Sequence, residues 1–571
     1  MCKICKAKLT YSGPTTNLSN HLRLKHKIFS NSATSDTSND HSKQASIKSA
    51  FGIIPPLSAS KKEQLDSAIE EFIIDSMQPL STVEGAKFIK MMTINTPNYK
   101  VPSRTTLTSR LRKRYKDMTS QLIENLVTLD HCAITHDAWT SLTVQSYCAI
   151  TLHFITHDWK LKSLCLEVKE LPESHTSENL AQSLRDAQKN WKFPNPIAVT
   201  DNAANEKKAF RELKWERISC FGHNLNLAVK AALNVKQVED IFNKCRKIAT
   251  YFRKSAVAKN VLSEKQKALL PGLNAAKTLI RDIPTRWNSS FDMLERVCEL
   301  TPAIHAALSD PRVKNAGSRS LLTSEDEVIV EAVIKVLKPF KDATYKVSRD
   351  TSPELPTLYP TYLKLLQLLE PSENDIECIK AIKAAASEKL KKQYEEIPDI
   401  LLLSSFFHPL TKELNFVSEE KKNETFENVK VQLKKMYDDV TPATEPVEEP
   451  AAKRQCVEND LSCDWLECLS DIVKPSIQTG QSITAKNEIE FMHYVSEPAN
   501  REDPLVWWKR MEPVFPNLSK LAKKYLCVPA SSVPSERVFS TAGNLINKRR
   551  ASLAPDNVDM LIFLNKNIDR L

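Results

Sequence analysis

The sequence predicts a multidomain α/β protein, and three observations lead there. At roughly 150 residues per domain, 571 residues make several folding units. Helical apolar spacing in the first part of the chain gives way near residue 131 to short apolar runs of strand type, then returns beyond residue 291. The first 28 residues, MCKICKAKLTYSGPTTNLSNHLRLKHKI, carry two cysteines and two histidines at the spacing of a zinc site.

Composition narrows the classes of function. The chain holds 80 Lys plus Arg against 70 Asp plus Glu, a net charge of +10. That is in line with a polyanionic partner but far from a histone-like tail. Of only 8 glycines, the closest two, Gly52 and Gly85, are 33 residues apart, so neither a P-loop nor a GxGxxG cradle is present. Chemistry on phosphate would have to use side chains and metal ions, and no nucleotide cofactor is expected. The 13 cysteines are odd in number and scattered, and no run of eighteen apolar residues occurs. An intracellular, reduced protein without disulfides or a membrane span is expected.

Taken in order, residues 1–28 read as CxxC, fifteen residues, then HxxxxH, with Cys2, Cys5, His21 and His26 as zinc ligands and Leu18 and Leu22 on the helix that carries the histidines. Residues 29–57, with seven serines from Ser30 to Ser49, read as a disordered linker. Residues 58–128 read as a small helical domain of DNA-binding or dimerisation type. It opens with a capping box from Ser60 to Glu63 and an apolar face of Leu65, Ala68, Ile69, Phe72 and Ile73. Farther on, Leu107, Leu111, Tyr115, Met118 and Leu122 form a stripe. Arg104, Arg110, Arg112, Lys113, Arg114 and Lys116 beside it are a solvated helix face or a phosphate-binding surface.

Residues 129–290 hold the runs CAIT, YCAITLHFIT, LKSLCLEVKEL, PIAVT and ISCF and the helical stretch SENLAQSLRDAQKNW. Three adjacent strands, then helix, strand, helix and strand, predict an antiparallel meander extended by crossovers into one mixed sheet. Asp137 is placed at the end of the first strand and Asp201 at the end of the fourth. Strand ends collect ligands in such sheets, so a divalent metal site is one reading; capping of the following turns is the other, and spacing does not separate them. Cys220 and His223 form a CxxH pair without a second pair nearby, and Cys220 reads better as a buried strand residue. Residues 291–505 read as an all-α insertion, with a disordered segment at about 438–460. Lys453, Arg454 and the cluster Lys548, Arg549 and Arg550 are weak nuclear-import signals. Residues 506–571 are rich in large apolar side chains.

The blocks THDAWTS, VTDNAAN, SCFGHNLNLAVK, IPTRWNSSFDML and VPASSVPSERVFSTAGNLINKRRASLAPDNVDMLIFLN occur in that order. With the finger, they resemble the hAT-type transposases and the zinc finger BED proteins derived from them, over nearly the whole chain. The resemblance implies a BED-type ββα finger and an RNase H-like core over 129–290 interrupted by the helical insertion. It also implies that 506–571 is a hAT C-terminal dimerisation region that completes the core. The acidic triad then maps onto Asp137, Asp201 and Glu536, which would hold magnesium if the protein cleaves DNA. His223 falls at the rim of that pocket, and Arg286 and Trp287 fall on a DNA-contacting motif whose tryptophan stacks on an extruded base.

Arg110, Arg112, Lys113 and Arg114 are the expected phosphate contacts of the helical domain. Trp507, Trp508, Phe539, Leu561 and Leu564 are expected to serve the core and self-association. The family's fingers carry an aromatic-containing segment before the first cysteine, whereas only Met1 precedes Cys2, so a clipped finger with weakened DNA affinity is expected. Duplex DNA, zinc, a homo-oligomer and the nucleus complete the expectation. Transcriptional regulation and active transposition remain as alternatives.

Overall fold

The computed structural model describes residues 2–9, 16–28, 57–140, 146–171, 174–272, 274–283, 286–314, 322–438, 483–545 and 553–570. The expected linker 29–57 lies outside the described residues except for its last position. The expected disordered segment beyond residue 438 also lies outside them, as do Lys453, Arg454, Lys548, Arg549 and Arg550.

Helix α1 (Thr16–His26) belongs to the finger, and α2 (Ala59–Asp75), α3 (Ala86–Asn95) and α4 (Arg104–Val127) precede the sheet. The sheet region runs β1 (Ala133–Thr140), β2 (Ser146–Ile155), β3 (Leu161–Glu170), α5 (Ser177–Trp191), β4 (Ile197–Thr200), α6 (Ala204–Leu213) and β5 (Arg217–Ser219). Helices follow: α7 (Phe221–Leu233), α8 (Lys236–Lys254), α9 (Ala256–Leu269), α10 (Trp287–Leu308), α11 (Ser324–Val347), α12 (Leu358–Leu368) and α13 (Glu377–Lys391). After them come α14 (Asp399–Phe406), α15 (Glu419–Asp438), α16 (Ile483–Ser496), α17 (Pro504–Met511), α18 (Pro516–Leu526), α19 (Val533–Leu545) and α20 (Pro555–Asn567). None of the described helices is long and apolar enough to cross a membrane.

Residues 1–121 and 544–569 form one unit, and 122–543 form a second. In the first, α2 is capped by Ser58, whose hydroxyl accepts from Lys61 N at 3.2 Å, so the helix starts before the capping box placed at Ser60. Its buried face also differs from the expected one. Ile69, Ile73 and Ile74 are buried together with Asp66 and Glu70, whereas Phe72 is 43% exposed and stacks on Phe88. The acids turn inward because Arg110 of α4 meets them: its guanidinium pairs with Glu70 and lies 3.7 Å from Asp66. Tyr99 OH adds a donor to Asp66. A buried carboxylate is tolerable only with such partners. Although 444 residues later in the chain, α20 belongs to this unit: Tyr115 OH donates to Asp559 Oδ2 at 3.0 Å, and Asn565 Nδ2 donates to Ile74 O at 3.0 Å.

In the second unit the strand order is β3-β2-β1-β4-β5, with β1, β2 and β3 antiparallel and β1, β4 and β5 parallel. This is the expected meander with crossovers. Helix α5 spans the residues its period gave. Thr176 caps it by accepting from Asn179 N, and Leu180, Leu184, Ala187 and Trp191 point inward. One expectation fails in detail, since β1 continues three residues past Asp137. Antiparallel pairing with β2 extends to Thr140↔Ser146, so Asp137 lies within the strand, opposite Ala149. The largest apolar core runs from the inner sheet residues through α7 to α18. Trp508 is fully buried there, its Nε1 donating to Phe407 O at 2.7 Å.

Candidate functional site: a zinc knuckle, a carboxylate cluster and a basic helix face

The finger begins with a tight turn. Cys2 N donates to Ala7 O at 2.8 Å and Lys6 N to Cys2 O at 2.9 Å, while Lys6 adopts φ 60°. The turn points both sulfurs at α1, where Leu18 and Leu22 are buried and the helix carries His21 and, at its last position, His26. Cys2 Sγ lies 3.5 Å from His26 Nε2, and Cys5 Sγ lies 3.2 Å from His21 Nε2. All four ligand atoms fall within 4.8 Å of one another. Bonds of about 2.3 Å to sulfur and 2.0–2.1 Å to nitrogen fit inside a tetrahedron of that size. The backbone N–H of Cys5, followed by that of Ile4, holds the Cys2 thiol below its usual range, which favours the thiolate a metal needs. The donor set therefore fits zinc. Among the described residues, this is the one such group of three or more His, Cys, Asp or Glu side chains. The described part of the finger holds the turn and helix but no strand, so the expected β-hairpin is not seen there.

The second cluster lies on the sheet. Parallel pairing of β1 with β4 runs Ala133↔Ile197, Ile134↔Ala198, Thr135↔Val199. Two steps further in that register, Asp201 comes beside Asp137. Alternation along β1 puts Thr135, Asp137 and Trp139 on one face, and α19 packs on that face. Ser535 Oγ lies 2.5 Å from Thr135 Oγ1, and Phe539 lies against Trp139 with ring centroids 4.0 Å apart. Glu536 stands exposed in the same first turn. The segment before α19 is fastened to the start of α7: Phe221 N donates to Ala530 O at 3.1 Å and Ser532 N to Cys220 Sγ at 3.3 Å. These bonds explain how a residue so far along the chain reaches the strands.

Electrostatics couples the three acids. Burial, then the charges of Glu536 and Asp201, raise the Asp137 carboxyl to about 7. Asp137 Oδ1 accepts from Ala138 N at 2.9 Å, and Asp201 Oδ1 from Ala203 N at 3.0 Å. The turn reading and the ligand reading are thus both compatible with the geometry. Arg217 braces the β4–α6 turn, donating to Thr200 Oγ1 at 2.7 Å and to the Asp201 carbonyl. On the opposite face of β1, His136 is buried with Nδ1 3.0 Å from Glu206 Oε1. Burial opposes its charge, but Glu206 outweighs that and holds the imidazole well above its ordinary range.

The remaining expected residues separate. Cys220 caps α7, its sulfur accepting from His223 N at 3.4 Å; burial pushes the thiol up, against the thiolate a metal would need. His223 is half-buried in that first turn. Arg286 is exposed, but Trp287 is only 4% exposed and packs edge-on against Phe291, so its ring face is not offered to a base in this conformation. Its burial follows from the pinned turn ahead of α10, where Arg246 pairs with buried Asp282 at 2.7 Å and Ser290 reaches the same carboxylate. Arg110 and Arg114 are engaged by acids of α2, whereas Arg112 and Lys113 are exposed. Trp507, Trp508, Leu561 and Leu564 are buried within the chain, and Phe539 is half-buried.

Sequence reasoning missed Thr135, Ser535 and Arg217 as supports of the carboxylates. Thr135 and Ser535 sit in the same short blocks as Asp137 and Glu536, which was the available signal; Arg217, 16 residues from Asp201, had none.

A zinc knuckle, a mixed sheet carrying paired acids and a long helical continuation define a class: finger-bearing proteins with an RNase-like core. Family models agree, matching a BED zinc finger at 1–27, the ZBED1 RNase-like domain at 135–221, the ZBED1 RNase-like helical domain at 218–336 and the hAT family C-terminal dimerisation region at 490–568. The chain is thus similar to the hAT transposases and to the zinc finger BED proteins, and carries regions that match a BED zinc finger and a hAT C-terminal dimerisation region. A putative AC transposase of Zea mays is 24% identical over 98% of this chain and 71% of its own. Human zinc finger BED domain-containing protein 4 is 24% identical over 89% of this chain, which spans 44% of that protein. A putative transcriptional regulator, tpeD, of Talaromyces stipitatus is 24% identical over 86% of this chain and 60% of its own.

Proposed function

We propose that this chain is a zinc-dependent, self-associating nuclear protein that binds duplex DNA and acts as a transcription regulator. The observation that carries the reading is the set of four converging ligands, Cys2, Cys5, His21 and His26. Small fingers fold around their metal, so DNA binding is coupled to zinc. The matches to the BED finger and the hAT dimerisation region support DNA and a second copy of the chain as partners. The similarity to a putative transcriptional regulator supports a regulatory role and, with it, the nucleus. Duplex affinity should fall steeply with salt and drop in Cys5→Ser. An unchanged affinity in that variant removes the finger from the reading. Sedimentation should give a mass that rises with concentration; a monomer throughout removes self-association.

A second reading, metal-dependent DNA strand cleavage, is favoured by one observation: the β1–β4 register and the packing of α19 on β1 bring Asp137, Asp201 and Glu536 together, and burial with the charges of the other two acids raises the Asp137 carboxyl to about 7. Clustered carboxylates with that mutual repulsion are suited to a divalent cation. Magnesium bound there would supply charge neutralisation and Lewis-acid assistance to phosphodiester cleavage. The chain's own contribution is to hold Asp137 rigidly in β1, fix Asp201 by the bond from Ala203 N and bring Glu536 in on α19. Magnesium- or manganese-dependent nicking that disappears in Asp201→Ala supports this reading. Equal inertness of wild type and variant, where a related transposase is active, removes it.

A further inference from the structure

Helix α4 has two basic faces with different surroundings. On one, Arg110 and Arg114 are taken up by the acids of α2. On the other, Arg104, Arg112, Lys113 and Lys116 line an open groove of about 760 Å³ and form no ion pair with a described residue. Thr105, Thr108 and Ser109 add hydroxyls to the same wall. The C-terminal helix α20 supplies Asn557, whose Oδ1 accepts from Arg112 Nη2 at 3.3 Å and steadies that guanidinium along the groove. Asp117 is the one acid on the lining, so four cations against one carboxylate leave a formal charge of +3.

We propose that the α4–α20 groove is a binding site for the phosphate backbone of duplex DNA, separate from the finger and completed by the C-terminal helix. Three features fix the ligand. Arg104, Thr108, Arg112 and Lys116 recur every four positions, giving an oblique ridge that rises about 6 Å per step and about 18 Å from end to end. A duplex carries about one charge per 1.7 Å of axis, so a row of that length faces several phosphates. The mix of guanidinium, ammonium and hydroxyl donors is the set that positions a protein on phosphate. The lining has no Trp, Tyr, Phe or His, whereas single-strand sites stack bases on aromatic rings. The groove therefore holds the backbone without reading sequence.

This inference rests on the DNA-binding reading, and the test separates the two. Zinc-loaded full-length protein is titrated against a labelled random-sequence duplex of ~30 bp between about 50 and 200 mM salt. Each phosphate contact contributes about 0.9 to the slope of log affinity on log salt, or roughly 5-fold in affinity near 0.15 M. Arg112→Ala with Lys116→Ala should thus lose about 30-fold in affinity and flatten the slope by about 2. Removing two exposed lysines elsewhere, Lys335→Ala with Lys338→Ala, lowers net charge equally and should leave the slope unchanged. Far-UV circular dichroism checks that both variants remain folded. If the groove pair leaves slope and affinity unchanged while Cys5→Ser weakens binding, the groove inference is overturned and the finger reading stands. Equal loss in the double-lysine control overturns it as well. Wild type that binds no duplex overturns both. Tighter binding of single-stranded RNA than of duplex, lost in the groove variant, overturns the duplex assignment.

Discussion

Replacing Arg110 with alanine tests how the first unit is held together. Arg110 side-chain atoms are 27% exposed, but those of its partners Glu70 and Asp66 are only 6% and 8% exposed. Removing the guanidinium leaves two buried carboxylates with Tyr99 and the more distant Arg114 as remaining help. Breaking a buried pair by deleting one partner costs about 3–5 kcal/mol. The partial exposure of Arg110 and the screening it brings favour the lower end, about 3 kcal/mol. Glu63, which is largely exposed, is left out of that figure. Native-state hydrogen exchange reads the effect directly, because 3 kcal/mol is roughly 150-fold faster exchange for amides that open with this unit. The loss should be confined to α2, α4 and α20. Adding Glu70→Gln to Arg110→Ala should recover part of it, since the orphaned charge is then gone. An effect below about 1 kcal/mol, or no recovery on adding Glu70→Gln, would refute burial of the acids as the reason Arg110 is needed.

Asp137 gives a pH prediction. Its folded value of about 7 stands above the ordinary 3.8, so the folded state keeps a proton that the unfolded chain has lost. Stability falls as pH rises through that window, and the penalty is complete above it. Without divalent metal, Asp137→Asn should therefore be more stable than wild type at pH 8 by on the order of 3 kcal/mol or less, and equal to it near pH 4. Denaturant titration at the two pH values checks this; equal stability at pH 8 would contradict it. Lys412→Met should lower stability by about 3 kcal/mol. That ammonium is buried and donates to the carbonyls of Tyr494 at 2.6 Å, Val495 at 3.1 Å and Glu497 at the end of α16. Cooperative melting unchanged by the substitution would show that those carbonyls find other partners. Zinc chelation should speed amide exchange in residues 2–28 while leaving α5 and the sheet protected; uniform loss would mean the metal supports more than the finger.

What could be read from the sequence tracks how local the determinants are. Helix α5 and the strands β2 to β4 follow from period and turn residues, and the ligand spacing of the finger is a four-residue pattern. The first strand reads as ending at Asp137, with helix-starting or turn residues after it; only pairing with β2 shows that residues 138–140 continue the strand. The inward turn of Asp66 and Glu70 depends on Arg110, 40 or more residues away, so an apolar pattern pointed instead to Phe72. The two basic faces of α4 are equivalent in sequence. They part company only because α2 supplies acids to one and α20 supplies Asn557 to the other. The motif tryptophan Trp287 is recognisable in sequence, but its burial beside Phe291 is a matter of packing.

The account stands most directly on coupling between the metal and DNA. A single preparation of the full chain, titrated with labelled duplex before chelation, after chelation and after zinc is restored, measures it. The account predicts at least a tenfold loss of affinity on chelation, about 1.4 kcal/mol, and full recovery with zinc. Three superimposable isotherms would contradict it.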